Sequence, residues 1–351
     1  MDRVVAKVRN KAIEGWTSVR IQRSLKNVVG ETRLSVTKEW NQARKLIMDE
    51  GEPVVIEIGN DRVATGYITE FVPSYDGKEV RYELVCHDKT IDLVECSLIH
   101  PSGEWKNSTL TQIAVDVCKP FGIDVVVETS IGEAFSVVRV EHGETVFNFI
   151  DRLARQRGVL LTSNAYGNLV ITTASKKRLS VKLETGINIR AARGRFSMQG
   201  SHSDITVKGD SGIGGEFTLA QSGNQSVTEK NERVKRYRPL IVLMEEPFTV
   251  AGASLRGQWH IKHTEAQANT SEITVSGWRM GVDFSGELWP MNRLVRVVDP
   301  IQTIDDDMLI SGFLLSEDDN GRATVLTMAY PEALEVPIEK PQSQGDFPWT
   351  P

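Results

Sequence analysis

Gly277-Trp278-Arg279-Met280 and then Gly286-Glu287-Leu288-Trp289-Pro290-Met291-Asn292-Arg293-Leu294-Val295-Arg296-Val297 form the stretch on which the reading of this chain turns. Two tryptophans and two small turns flank strand-like runs, and no nucleophile, base or metal cluster accompanies them. In the run 293–298, alternation puts Val295 and Val297 on one face of a strand and Leu294, Arg296 and Val298 on the other, so at least one face is expected to be buried. Proline disfavours the helical region for the residue before it, so Trp289-Pro290 predicts an extended backbone. This is the chemistry of packing and assembly rather than of catalysis.

Outward from that stretch, residues 181–330 read mainly as strands. Runs at Ile273–Val275, Leu309–Leu315 and Ala323–Met328 alternate or are continuously apolar, and Asp319-Asn320-Gly321 is a hairpin signal. A helical or loop insertion near 208–268 interrupts them. Its first part, 208–227, is rich in Gly, Ser, Thr and Gln and reads as a long mobile loop. In its second part, Leu255, Trp259, His263 and Ala266 share one face of a helix over 251–268.

Residues 1–97 are also strand-rich. Val54, Ile56 and Ile58 alternate with Val55 and Glu57, while Tyr82, Leu84 and Cys86 alternate with their neighbours; Gly59-Asn60-Asp61 and Asp76-Gly77 supply turns. One helix is predicted at 39–48, with Trp40, Ala43 and Ile47 on a common face. Many short strands between tight turns suggest a small antiparallel barrel, and 181–330 suggests a second. Between them, 98–180 changes character. Leu110, Ile113, Ala114, Val117 and Cys118 follow helical spacing up to Pro120, as do Val146, Phe149, Ile150, Leu153 and Ala154 up to Gly158. Strand-like runs at Ile123–Val127, Val137–Val140, Val159–Leu161 and Leu169–Thr172 surround these helices. The fold class is therefore α+β, predominantly β, with two small antiparallel β-barrel domains flanking an α+β domain. Residues 331–351 form a proline-rich arm. Phe347 and Trp349 there are either two anchors for docking on a partner or part of a frayed end.

At 351 residues the chain is long enough for two or three domains. Its net charge of −6 argues against general nucleic-acid affinity, because phosphate binding needs a cationic surplus. No run of roughly 18 apolar residues is present to span a membrane. Met1-Asp2-Arg3-Val4-Val5-Ala6 lacks the apolar core of a secretory signal, so synthesis and assembly in a cytoplasm are expected. Cys86, Cys96 and Cys118 fit no zinc or redox spacing and are expected to be buried thiols.

Catalytic and ligand-binding patterns are weak throughout. His260 and His263 lie three apart, short of the convergent ligands a metal requires. Asp305-Asp306-Asp307 lacks the spacing of a calcium loop and is expected at a solvated hairpin tip. Gly212-Ile213-Gly214-Gly215 lacks the Lys-Ser or Lys-Thr of a phosphate cradle. Gly200-Ser201-His202-Ser203-Asp204 is no nucleophile elbow. Paired carboxylates for glycan cleavage remain open among 47 acidic residues, although no additional compact helical domain stands out to host them. Basic groups at 176–178, at Arg190, Arg193 and Arg195, and at 233–238 fit solvated strand ends, contacts with an acidic partner, or the wall of a channel that DNA crosses. No cofactor or metal is predicted.

Several ordered segments carry a family resemblance: Gly15-Trp16 followed by Val19 to Leu25, Thr65-Gly66-Tyr67-Ile68, and Asp88 through Ile91-Asp92-Leu93-Val94. Lys119-Pro120-Phe121-Gly122-Ile123, Gly143-Glu144-Thr145-Val146-Phe147, the tryptophan stretch and Asp318-Asp319-Asn320-Gly321 complete the series. In order and spacing they resemble the baseplate hub proteins of Mu-like contractile-tail phages (the 43 kDa tail protein type), related to the hub part of VgrG spikes. One departure is Cys86-His87-Asp88, where such hubs often carry Gly-Arg-Ser or similar before the Asp-Leu-Val step; an intersubunit contact made by that arginine would be missing here. The resemblance implies a non-enzymatic virion protein of the tail baseplate, two related barrels per subunit and a homotrimeric ring. That ring would have the central spike, tail tube, tape measure protein and baseplate wedge proteins as partners, with no membrane embedding and no specific nucleic-acid binding. It also implies a lumen for the tape measure protein and DNA. Trp16, Trp278, Trp289, Phe347 and Trp349 are the structural or interface residues singled out. Two other readings stay open, a monomeric barrel that binds nucleic acid or glycan and a cell-wall hydrolase.

Overall fold

A computed structural model of the chain describes residues 2–9, 11–39, 48–209, 225–243, 250–281 and 285–335. The expected helix at 39–48 falls largely on residues 40–47, outside the described residues, as do Gly212–Gly215, Phe347 and Trp349. Glu39 ends a strand instead.

The first seven strands are β1 (Val4–Val8), β2 (Lys11–Ile13), β3 (Ser18–Ser24), β4 (Asn27–Glu39), β5 (Pro53–Ile58), β6 (Asp61–Tyr75) and β7 (Glu79–Asp88). The period-2 pattern is realised in β5, whose Val54, Ile56 and Ile58 are buried. Ile21, Leu34, Ile56 and Leu84 are fully buried in a first core.

The middle of the chain holds α1 (Ile91–Glu95), β8 (Glu104–Ser108), α2 (Leu110–Cys118), β9 (Val125–Val127), β10 (Phe135–Arg139), α3 (Val146–Gln156), β11 (Leu160–Ser163) and β12 (Leu169–Thr172). The buried residues of α2 and α3 are the ten named from periodicity. Thr109 caps α2 in a reciprocal capping box with Gln112, Thr145 caps α3, and Gly158 at φ 66° follows its last turn. These helices share a core with β9, β11 and β12. Trp105 closes it, its indole donating to Asp116 at 2.8 Å.

The remaining elements are β13 (Arg178–Glu184), β14 (Ala191–Phe196), β15 (Asp204–Gly209), β16 (Gln225–Lys230), β17 (Pro239–Leu243), α4 (Val250–Ala268), β18 (Asn269–Ser276), β19 (Leu294–Asp299), β20 (Ile304–Asp318) and β21 (Gly321–Ala329). Leu183, Ile273, Val295, Val297, Met308 and Leu326 build a core of their own.

The two strand-rich regions are not independent of one another. Their strands join one 13-stranded sheet ordered β14-β18-β21-β20-β3-β4-β7-β6-β5-β1-β2, with β13 and β19 branching from β20, and no closed barrel is found among the described residues. The length of β20 is the physical reason. Its first residues pair with β19, and after an irregularity at Ile310/Gly312 its later residues pair with both β21 and β3. One strand thus belongs to both halves, which local periodicity does not reveal.

Two further expectations are corrected. Asp305, Asp306 and Asp307 lie within β20 opposite Val298, Val297 and Arg296, rather than at a hairpin tip, and Arg296 and Arg178 neutralise two of them. Lys208, Gly209 and residues 225–227 belong to strands, and β16-β15-β17 is a three-stranded sheet covered by α4. Within α4 the buried residues are Ala253, Gly257 and Ala266, while Leu255 is 68 % exposed. Small residues win that face because the helix lies close on the sheet; a Cβ at Gly257 would come within 2.7 Å of Glu229.

Candidate assembly site

Among the described residues no three His, Cys, Asp or Glu side chains are placed to hold a metal ion. His260 and His263 are half-buried beside α4's partners, and burial, followed for His260 by the nearby His202 and Arg256, pushes their imidazoles below the usual value. Ser203 bonds Asp204 at 2.6 Å and accepts from the Arg238 N–H at 2.7 Å, which makes the 200–204 segment a stapled turn. Burial pushes the Cys86 and Cys118 thiols up to about 12. Cys96 departs from expectation: it is exposed, because it caps α1 where the backbone turns extended and leaves the core.

The tryptophan stretch is a clasp. Trp278, although it follows β18 of the second half, enters the first core beside Leu315, and its indole N–H donates to the Ser316 carbonyl at 2.9 Å. The Arg322 guanidinium lies 4.4 Å over its ring. Trp289 enters the second core, 5 % exposed, and its indole N–H has no hydrogen-bond partner among the described residues. The two are held back to back by the Trp289 backbone N–H donating to the Trp278 carbonyl at 3.2 Å and by the Arg279–Leu288 bridge. Arg279 then reaches the opposite end of the sheet, donating to Asp2 at 2.6 Å and to Asp61 at 2.7 Å. Asn292, at φ 58°, accepts from Ser175 N–H at 2.9 Å and donates to the Thr173 carbonyl at 3.0 Å, tying the same stretch to the end of the middle region.

A second junction was not visible in the sequence. Asp88 is 1 % exposed and accepts from Arg23 at 2.8 Å, from the Ser163 hydroxyl at 2.7 Å and from the Gly30 N–H at 3.1 Å. Burial lifts its carboxyl above the usual range against the pull of those donors, Arg23 foremost. Arg23 also donates to the Val63 and Ser163 carbonyls. Only glycine fits at position 30, where a Cβ would stand 2.6 Å from the Asp88 carboxylate. The aspartate after Cys86-His87 is therefore a buried intrachain partner of Arg23 that fixes the middle region to β3, β4 and β7. The Arg23 side of this pair lies in the Val19–Leu25 segment, 65 residues away, so no local pattern could announce it.

The outward-facing features are elsewhere. Trp16 is half-buried against the first core and borders a groove of about 280 Å³ with Arg3, Glu14 and Arg322. All six residues of β14 are exposed, Arg193 and Arg195 among them, and this strand is one end of the long sheet; β2 is the other. No helix among the described residues is long and apolar enough to cross a membrane.

Comparison with known proteins agrees with this architecture. Residues 3–88 match the family model for the N-terminal part of Mu phage baseplate assembly protein GpP-like proteins. Residues 90–173 match the second domain of baseplate hub protein gp44-like proteins, and residues 249–337 the fourth domain of Mu phage baseplate assembly protein GpP. The baseplate hub protein gp44 of Escherichia phage Mu is 32 % identical over 345 residues, covering 96 % of this chain and 90 % of that protein. The crystal structure of the prophage MuSo2 43 kDa tail protein from Shewanella oneidensis superposes with a TM-score of 0.86 at 42 % identity, covering 95 % of this chain and all of that one. The tail protein from Neisseria meningitidis shares the fold, with a TM-score of 0.79 at 19 % identity over 95 % of this chain and 99 % of that one. With a clasped, strand-rich body along nearly its whole length and a relative of this identity and coverage, the chain belongs to the family of Mu-type phage baseplate hub proteins.

Proposed function

We propose that the chain is a structural, non-catalytic hub of a contractile-tail baseplate, located in the virion tail and assembled in the bacterial host cytoplasm. The observation that carries this reading is the 32 % identity to the Mu hub across 96 % of the chain. The architecture gives it a physical basis. A hub transmits load and must not come apart between its halves, and here one continuous sheet, the Trp278–Trp289 clasp and the Arg23–Asp88 pair bind all three regions together.

Each half of the sheet wraps its own core as a barrel-like unit, and three subunits would set six such units in a ring with a lumen for the tape measure protein and DNA. The exposed ends of the sheet, β14 and β2, are backbone edges that a neighbouring copy can cover. Trp16, at its surface groove, is the interface candidate among the described tryptophans, since Trp278 and Trp289 are spent on intrachain cores. A trimer so built would meet the tail tube on one face and the central spike on the other, with wedge proteins outside.

Light scattering across a concentration series, with negative-stain images of the same peak, tests the reading. A mass near three times 39.1 kDa, about 117 kDa, with ring-shaped particles is expected. A strict monomer without rings at high concentration would overturn the trimer and send attention to nucleic-acid and glycan binding.

A further inference from the structure

At the end of the long sheet, β14 combines an open backbone with a fixed charge pattern. It pairs antiparallel with β18 in unbroken register over all six residues, and among the described residues no strand pairs with its other side. Neither a proline nor a bulge blunts that edge. Its pleat sorts the side chains. Arg193 and Arg195 stand on one side, opposite Glu272 and Thr270 of β18, while Ala192, Gly194 and Phe196 stand on the other. Both arginines are exposed, and neither has an ion-pair partner among the described residues. On the second side a Cβ at Gly194 would come within 2.5 Å of the Phe196 ring, so that ring lies across the glycine, and Phe196 is 53 % exposed.

The cationic surface continues past the end of the strand. Arg238 donates through Nη1 to the Met198 carbonyl at 2.9 Å, and the Ser203 N–H donates to the Arg238 carbonyl at 2.8 Å. These bonds bring Lys235-Arg236-Tyr237 beside the residues that follow β14, and all three side chains are exposed. Arg193, Arg195, Lys235 and Arg236 thus gather at one end of the sheet in a chain whose net charge is −6.

Two features define what such a surface recognises. An unpaired edge offers a ladder of N–H and C=O groups, which a strand uses and a phosphate backbone does not need. Cations at alternate positions favour carboxylates directly opposite and repel a basic strand, so they select the strand that pairs. The other free edge of the sheet, β2, is a poor complement. It has three residues against six, Lys11-Ala12-Ile13, and supplies a lysine and no carboxylate.

We propose that β14 seats an extended strand of a different protein, one that alternates carboxylates with apolar side chains. Two carboxylates, two residues apart, would stand opposite Arg193 and Arg195. The apolar residues between them would lie on the side of Ala192, Gly194 and Phe196, and acids flanking the strand would face Lys235 and Arg236. The inference rests on the hub reading and deepens it: of the two sheet ends open to a neighbouring copy, β14 is the one kept for another component.

A synthetic peptide alternating Glu and Val, added to the full chain, tests the assignment by fluorescence anisotropy and hydrogen exchange. Amides of 191–196 should exchange more slowly with the peptide bound, and those of β2 should be unchanged. An Arg193→Glu/Arg195→Glu variant should bind this peptide at least roughly tenfold more weakly and should take the matching Lys–Val peptide instead. That gain keeps the test independent of any loss caused by misfolding. No protection of β14 in the unaltered chain, or no exchange of preference in the variant, would overturn the proposal. Protection of β14 that rises with protein concentration alone would give the edge to a second copy, and protection by a single-stranded oligonucleotide but not by the peptide would give it to nucleic acid; either result overturns the proposal. A trimeric mass without peptide binding sinks this inference alone, whereas a monomer that binds the peptide sinks only the trimer.

Discussion

The two halves of the long sheet each spend one tryptophan, and they spend it differently. In the first half the indole is borrowed: Trp278 comes from the strand-rich region that builds the second core, crosses the boundary and satisfies its N–H on Ser316. In the second half Trp289 stays with its own strands and leaves its N–H without a partner. The difference teaches that the first core is incomplete without the second half of the chain, whereas the second core closes by itself apart from the strand they share. Coupling between the halves therefore runs through Trp278, Arg279 and β20, and it is directional.

The largest expected effect breaks that borrowed contact. Trp278→Ala should cost about 5 kcal/mol, because it opens a cavity and strands a carbonyl in the first core. Trp289→Ala should cost roughly 3–4 kcal/mol, from the cavity alone. Denaturant unfolding that ranks them the other way would break the comparison. Moreover, Trp278→Ala should loosen strands β1–β7 in hydrogen exchange, while Trp289→Ala should leave them protected.

Next comes the buried pair. Arg23→Met leaves the Asp88 carboxyl without its cation in a nearly solvent-free site and should cost roughly 3 kcal/mol. The loss should shrink in acid, where the carboxyl protonates; a loss independent of pH would mean that packing, not charge, holds this junction. Substituting only the polar part of each indole sharpens the tryptophan comparison. Trp278→Phe should cost about 1 kcal/mol more than Trp289→Phe, since only the former gives up a hydrogen bond.

The smallest effect is a pH dependence located in α4. His260 and His263 titrate below their ordinary value of 6.5 in the folded chain, chiefly because of burial. The unfolded chain therefore binds more protons in this range. The stability they contribute is fully present above 6.5 and is lost as pH falls through their lowered values. Thermal melts stepped downward from neutral pH should show a decline that flattens in a His260→Asn/His263→Gln variant. An unchanged slope would exclude these two groups as its source.

Much of the local structure was legible because it is governed by periodicity within a few residues. The stripes of α2 and α3, the alternation of β5 and β19, and the hairpin at Asp319-Asn320-Gly321 follow directly from side-chain spacing and turn chemistry. The family resemblance was legible as well, because ordered segments extend from Gly15 to Gly321. The inserted sheet was missed, although Pro239–Leu243 is a continuous apolar run, because its neighbouring strands flank the Gly- and Ser-rich stretch that dominated the reading. The helix over 251–268 was legible, but the face it turns to the sheet was not, because close backbone approach selects Ala253 and Gly257 there.

By itself the sequence determined the stripes of α2 and α3, the alternation of strands such as β5 and β19, and the family to which the chain belongs. Only the tertiary structure decided that two strand-rich regions form one sheet, that Trp278 crosses into the core of the other half, and that Asp88 finds Arg23 and Ser163. The reason is physical. Alternation and helical period are set by neighbours in the chain, but strand order and buried pairing depend on residues 65 to 277 positions apart, and these are chosen by shape and charge once the chain has collapsed.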